Sequence, residues 1–176
     1  MSNPRHVTRT FRIEDETDEV LRDDAEKNGI SVNNLVNRIL REYTLSLRYF
    51  ERGQSITLSS RTLSQLLSNM DEDDIVQAGR KSGYLRTKEQ LLLRGMKLDR
   101  KSAIWYVREI IGNYSAWFTC DLHEYKDHTL LFLRHTYDER WSLFLVNYLE
   151  TMFKELIEIT PEIEYTARSV IIKIPK

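Results

Sequence analysis

The segment HVTRTFRI, residues 6 to 13, constrains the chain more than any other. Val7, Phe11 and Ile13 fall on one set of alternate positions, and Thr8, Thr10 and Arg12 on the other. That is the two-residue period of an extended strand, apolar on one face and polar on the other. A lone strand leaves every ladder N–H and C=O unpaired, so this one demands a partner. Arg9 is the single departure, because it falls on the apolar set.

Two helices follow. In DETDEVLRDDAEKNG the acids crowd the first turn, where the helix dipole favours them, and Gly29 stands where a left-handed cap ends a helix. Thr17, Val20, Leu21 and Ala25 form its apolar stripe. Ser31 then caps a second helix whose stripe is Val32, Leu35, Val36, Ile39, Leu40 and Tyr43, with Gly53 as its expected stop. About fifty residues cannot bury enough surface to be stable alone, so the segment calls for a second copy as well as a second strand.

The strand VTRTFRI, the helix ending in AEKNG and the segment GISVNNLVNRIL together resemble the ribbon-helix-helix DNA-binding superfamily, which includes the Arc, MetJ and CopG repressors. The resemblance covers about residues 5–50. It implies a homodimer whose two strands pair antiparallel and whose four helices interlock. It also implies that the polar face of the ribbon enters the major groove of double-stranded DNA. Carried over position by position, Thr8, Thr10 and Arg12 are the base-contacting residues. The N-terminus of the second helix, at Ser31, Val32 and Asn33, would hold phosphate, aided by Arg9 and Arg5.

Charge agrees with that placement. The net charge of −1 shows no basic excess overall, yet residues 1–13 hold Arg5, Arg9 and Arg12 with no acid. Residues 14–26 reverse this, with Glu14, Asp15, Glu16, Asp18, Glu19, Asp23, Asp24 and Glu26 against Arg22 alone. An anion would meet the strand and avoid the first helix.

Beyond residue 53 the pattern changes to a second domain, residues 54–176, expected to be α+β. Ile56 to Leu58 suits a brief strand, and Ser59 or Ser60 caps a helix carrying Leu63, Leu66, Leu67 and Met70. DEDD at Asp71 to Asp74 opens another helix with Gly83 as its expected end; Thr87 and Gln90 have capping-box spacing, with Gly95 as the next stop. Asp99 caps a helix ending at Gly112. Two strands follow, AWFTCDLHE and TLLFLRHTY, joined across residues 125–128. A long helix from about Arg140 to Thr160 leads to a last strand in TARSVIIKI, giving a β-β-α-β unit.

Other chemistries have weaker grounds. Cys120, His123, His128 and His135 are a tempting metal set, but a hairpin turning at Lys126 and Asp127 puts Cys120 and His135 on one face and His123 on the other. Asp121, Glu124 and Asp127 lack a defined catalytic partner, and there is no glycine-rich phosphate loop. No metal, cofactor or enzymatic activity is expected. No stretch nears the roughly 18 apolar residues that cross a bilayer, and the first residues lack a signal peptide's apolar core. With a single cysteine this suits a cytoplasmic protein.

The expectation is therefore a dimeric, sequence-specific transcription regulator, most simply a prokaryotic repressor. Its second domain would add oligomerisation, to a tetramer, or sensing of an unspecified effector. The alternative is an antitoxin-like or scaffolding dimer whose second domain holds a partner protein.

Overall fold

Residues 7–52 and 56–176 are described by a computed structural model and fold as a mixture of helix and antiparallel sheet, the α+β class expected. The chain divides into two compact units, Met1–Thr44 and Leu45–Lys176.

In the first unit α1 spans Asp15–Lys27 and α2 spans Val32–Glu42. Gly29 (φ +64°) makes the link between them possible. The Ile30 N–H donates to the Ala25 carbonyl and the Gly29 N–H to the Glu26 carbonyl, both at 3.0 Å, the double bond of a Schellman ending. Helix α2 runs on through a π-helical turn, Tyr43–Leu47, into α3, Arg48–Arg52. The strand expected before α1 is not formed: Val7–Glu14 has no regular structure, and His6 lies outside the described residues. A strand exists only where a neighbour completes its ladder. Among the described residues all four strands belong to the second unit and pair with one another.

The second unit opens with α4, Ser60–Ser68, capped as expected by Ser59, whose Oγ accepts the Thr62 N–H at 3.1 Å. The brief strand expected at Ile56 to Leu58 is absent. Next comes α5, Glu72–Leu93, a single 22-residue helix that runs through both Gly83 and the supposed capping box. Gly83 and Gly79 are packing positions. A Cβ on Gly79 would lie 2.6 Å from the Phe144 carbonyl oxygen, and one on Gly83 would collide with the Tyr148 carbonyl. Thr87 and Gln90 are buried on the same face as Ile75, Gly79, Gly83 and Leu91. Gly95 (φ +66°) does end this helix. Helix α6, Arg100–Trp105, capped by Asp99, continues π-helically through Tyr106–Tyr114, past the stop expected at Gly112.

The sheet contains β1 (Thr119–Glu124), β2 (His128–Arg134), β3 (Glu162–Thr166) and β4 (Ser169–Pro175), all antiparallel, in the order β1-β2-β4-β3. Sequence patterning anticipated one strand after the long helix; there are two, joined across Ala167 and Arg168 with neither glycine nor asparagine in the turn. Helix α7, Glu139–Ile157, packs against α5 and also contacts β3 and β4. Register explains which sheet face the helices cover. Leu122, Leu131, Ile172 and Ile163 align in one row, and Cys120, Leu133, Val170 and Tyr165 in the next. Leu131, Leu133, Val170 and Ile172 are fully buried with Leu145, Leu149, Met152 and Phe153 of α7.

Candidate nucleic-acid interface

The start of α2 is capped by one side chain and carries no acid. Ser31 Oγ accepts the Asn34 N–H at 3.2 Å, which leaves the N–H groups of Val32 and Asn33 without an acceptor inside the helix. No acid occupies the first turn of α2, whereas α1 carries Asp15, Glu16 and Asp18 in its own. The positive end of the dipole is therefore cancelled at α1 and left open at α2. Ser31 and Asn33 are exposed and Val32 is half-buried.

Thr8, Arg9, Thr10 and Arg12 are all exposed, as are the apolar residues that alternate with them; Arg5 lies outside the described residues. The greasy half of this unit is largely unburied. Among its described residues only Ala25 and Leu35 are buried, while Val7, Phe11, Ile13, Val20, Ile39, Leu40 and Tyr43 remain between 43% and 65% exposed. Val20, Ile39, Leu40 and Tyr43 belong to the helix stripes that the sequence assigns to a core, and Val7, Phe11 and Ile13 are the apolar face of the expected strand.

The residues weighed for metal binding are separated by the sheet. Cys120 sits in the row facing the core, and burial raises its pKa to about 11. His123 lies in the opposite row, exposed. His128 pairs with Asp127 at 2.8 Å and stacks on Tyr125. His135 lies past the end of β2, where its Nε2 meets Ser142 Oγ at 2.8 Å. Among the described residues no three His, Cys, Asp or Glu side chains come together as a metal site, and no helix is long and apolar enough to cross a membrane.

A buried polar network escaped sequence reasoning. The Thr87 hydroxyl meets the Tyr148 hydroxyl at 2.8 Å, and Tyr106 bonds to Tyr148 in the same interior. Burial raises the pKa of both tyrosines, so they act as neutral hydroxyls. The signal was the spacing Gly79, Gly83, Thr87, Gln90, Arg94, a small and polar stripe down one face of a single long helix. It is obscured when Gly83 is read as a stop.

The chain matches no family model, no curated protein and no solved structure.

Proposed function

We propose that the protein is a sequence-specific transcription regulator that binds the major groove of double-stranded DNA as a homodimer, through a ribbon made of residues 7–13 from two chains. The observation that carries this reading is the unburied apolar set Val7, Phe11, Ile13, Val20, Ile39, Leu40 and Tyr43 in a unit that buries only two of its described residues. Exposed apolar surface of this extent marks an interaction face. A second copy matches it residue for residue, and pairing the two extended segments also completes their ladders.

In that dimer the apolar positions of the segment close a shared core. Thr8, Thr10 and Arg12 point the other way, six side chains on one ribbon. Arg12 offers two parallel donors to guanine O6 and N7, and the threonines reach base edges or a thymine methyl. The open N-termini of the two α2 helices take flanking phosphates and fix the register. The acids of α1 are kept off the DNA by the same geometry, since α1 offers no uncancelled N–H end to it.

Selection of bound duplexes from a random pool at fixed salt, followed by anisotropy titrations, tests the reading. The expected result is a two-fold symmetric site, bound with an affinity that falls steeply with salt. Arg12→Ala should cost about 1–3 kcal/mol at one base position of each half-site and leave non-specific binding nearly intact. No enriched sequence, or an Arg12→Ala protein with the same preference, refutes it.

A further inference from the structure

One place in the second unit holds more hydrogen-bond donors than acceptors. Arg94, at the end of α5, donates from Nε to the Leu45 carbonyl at 3.3 Å. Its Nη1 donates to the carbonyl and the side-chain Oε1 of Gln90 at 2.9 and 2.7 Å, and its guanidinium lies 4.2 Å from the centre of the Tyr49 ring. Three buried polar atoms on these residues have no hydrogen-bond partner among the described residues: Arg94 Nη2, Gln90 Nε2 and Ser46 Oγ. Ser46 and Gln90 are 0% and 1% exposed. The bonds already made tie the three together, because Arg94 holds the Gln90 amide by its oxygen and the peptide preceding Ser46 by its carbonyl.

A folded chain rarely leaves one buried polar group unsatisfied, and three on residues linked through one guanidinium call for an acceptor. Charge points the same way. A second guanidinium, that of Arg48, stands 4.6 Å from the centre of the same Tyr49 ring. Burial, then the nearby Arg86 and Arg48 charges, depress the Arg94 pKa against the opposing pull of Tyr106 and Tyr49. An anion would satisfy the orphaned donors and relieve the crowding of cations.

We propose that Arg94 Nη2, Gln90 Nε2 and Ser46 Oγ form a binding seat for a small oxyanion, a carboxylate or a phosphate group. The planar guanidinium fork suits either. Ser46 belongs to the π-helical turn Tyr43–Leu47, and such turns recur at functional sites. The three atoms are closed from solvent, so this turn must open to admit the anion. The ligand is a compact one, and binding orders the helix segment that carries Ser46. The inference is independent of the DNA reading, and its test contains no DNA.

The experiment uses the full chain, titrated with sodium phosphate and separately with sodium acetate, against sodium chloride at matched ionic strength. Calorimetry and thermal unfolding are the readouts. At least one anion should bind saturably and raise Tm by about 5–10 °C at a hundredfold excess over Kd. Ser46→Ala should leave the anion-free Tm unchanged or higher, because it deletes a hydroxyl with no partner, yet weaken anion binding tenfold or more. Gln90→Leu should weaken it likewise. A response to phosphate alone or acetate alone assigns the anion's shape, and a response to both supports the shared chemistry. No saturable response to either anion overturns the proposal, as does an equal response in the Ser46→Ala and Gln90→Leu chains.

Discussion

The two units solve the problem of burial in opposite ways. In the second, α7 lies against both the sheet and α5, and a continuous set of side chains from Leu67 to Ile174 is withdrawn from water. In the first, two helices bury Ala25 and Leu35, and seven large apolar side chains of the helices and of the segment before them face outward. Both units contain helices with a side-chain N-cap, Ser31 in the first and Ser59 and Asp99 in the second, so capping is not what separates them. The difference lies in tertiary partners. The second unit closes its core within one chain, and the open apolar face of the first is the ground for the proposal that a second copy completes it.

That contrast is broken most directly at Phe11. Phe11→Ser should convert a dimer to monomers, costing about 3–6 kcal/mol per dimer, from about 1.5–3 kcal/mol for each large side chain buried in each of two chains. Sedimentation velocity reads the loss, and the near-ultraviolet signal of the second unit should be unchanged. A wild-type chain that stays monomeric at tens of micromolar removes the contrast altogether. Gly83→Val attacks the other side. It drives a side chain into the Tyr148 backbone, and about 3 kcal/mol should disappear from the unfolding free energy in urea.

A subtler distinction concerns pH. His135 is buried with Nδ1 unpartnered and Nε2 on Ser142, and burial lowers its pKa against the weaker pull of Asp138. The unfolded imidazole, with its ordinary value near 6.5, takes up a proton that the folded one resists. Stability is therefore fully present above that value and declines as pH falls through and below it. Urea midpoints at pH 7.5 and 5.5 should differ more in the wild type than in His135→Gln; equal differences dismiss the assignment. The smallest effect is expected at Glu158, which ends α7 in the left-handed region at φ +58°. Glu158→Gly should add about 1 kcal/mol, visible as a modest rise in the unfolding temperature of the second unit.

Local signals in the sequence translated well into structure wherever one residue decides the outcome. Ser31, Ser59 and Asp99 cap the helices they were expected to cap, and Gly29 and Gly95 turn left-handed where a helix must stop. Gly83 and Gly112 misled because glycine has two uses: φ freedom at an end, and absence of a Cβ where another backbone comes close. At Gly83 it is the backbone of distant Tyr148 that comes close, and at Gly112 the Val107 carbonyl and the Phe118 ring. Strand β3 was missed because Glu162 and Glu164 give it a polar face and its turn lacks the usual residues. In the candidate interface, the Ser31 helix start and the polar set Thr8, Thr10 and Arg12 were readable from spacing. The Arg94 seat was not, since it joins residues 45–49 to residues 90–94 through contacts that no sequence period encodes.

Cys120 has a practical consequence. With its pKa near 11, only about one thiol in ten thousand is ionised at neutral pH, against a few in a hundred for an ordinary thiol. The chain carries no other cysteine. A cysteine introduced at exposed Thr8 or Asn33 would therefore take a maleimide dye or spin label almost alone, with no background residue to remove. The protein is thus ready for distance measurements between the two copies of the proposed dimer, without altering the core that surrounds its own sulfur.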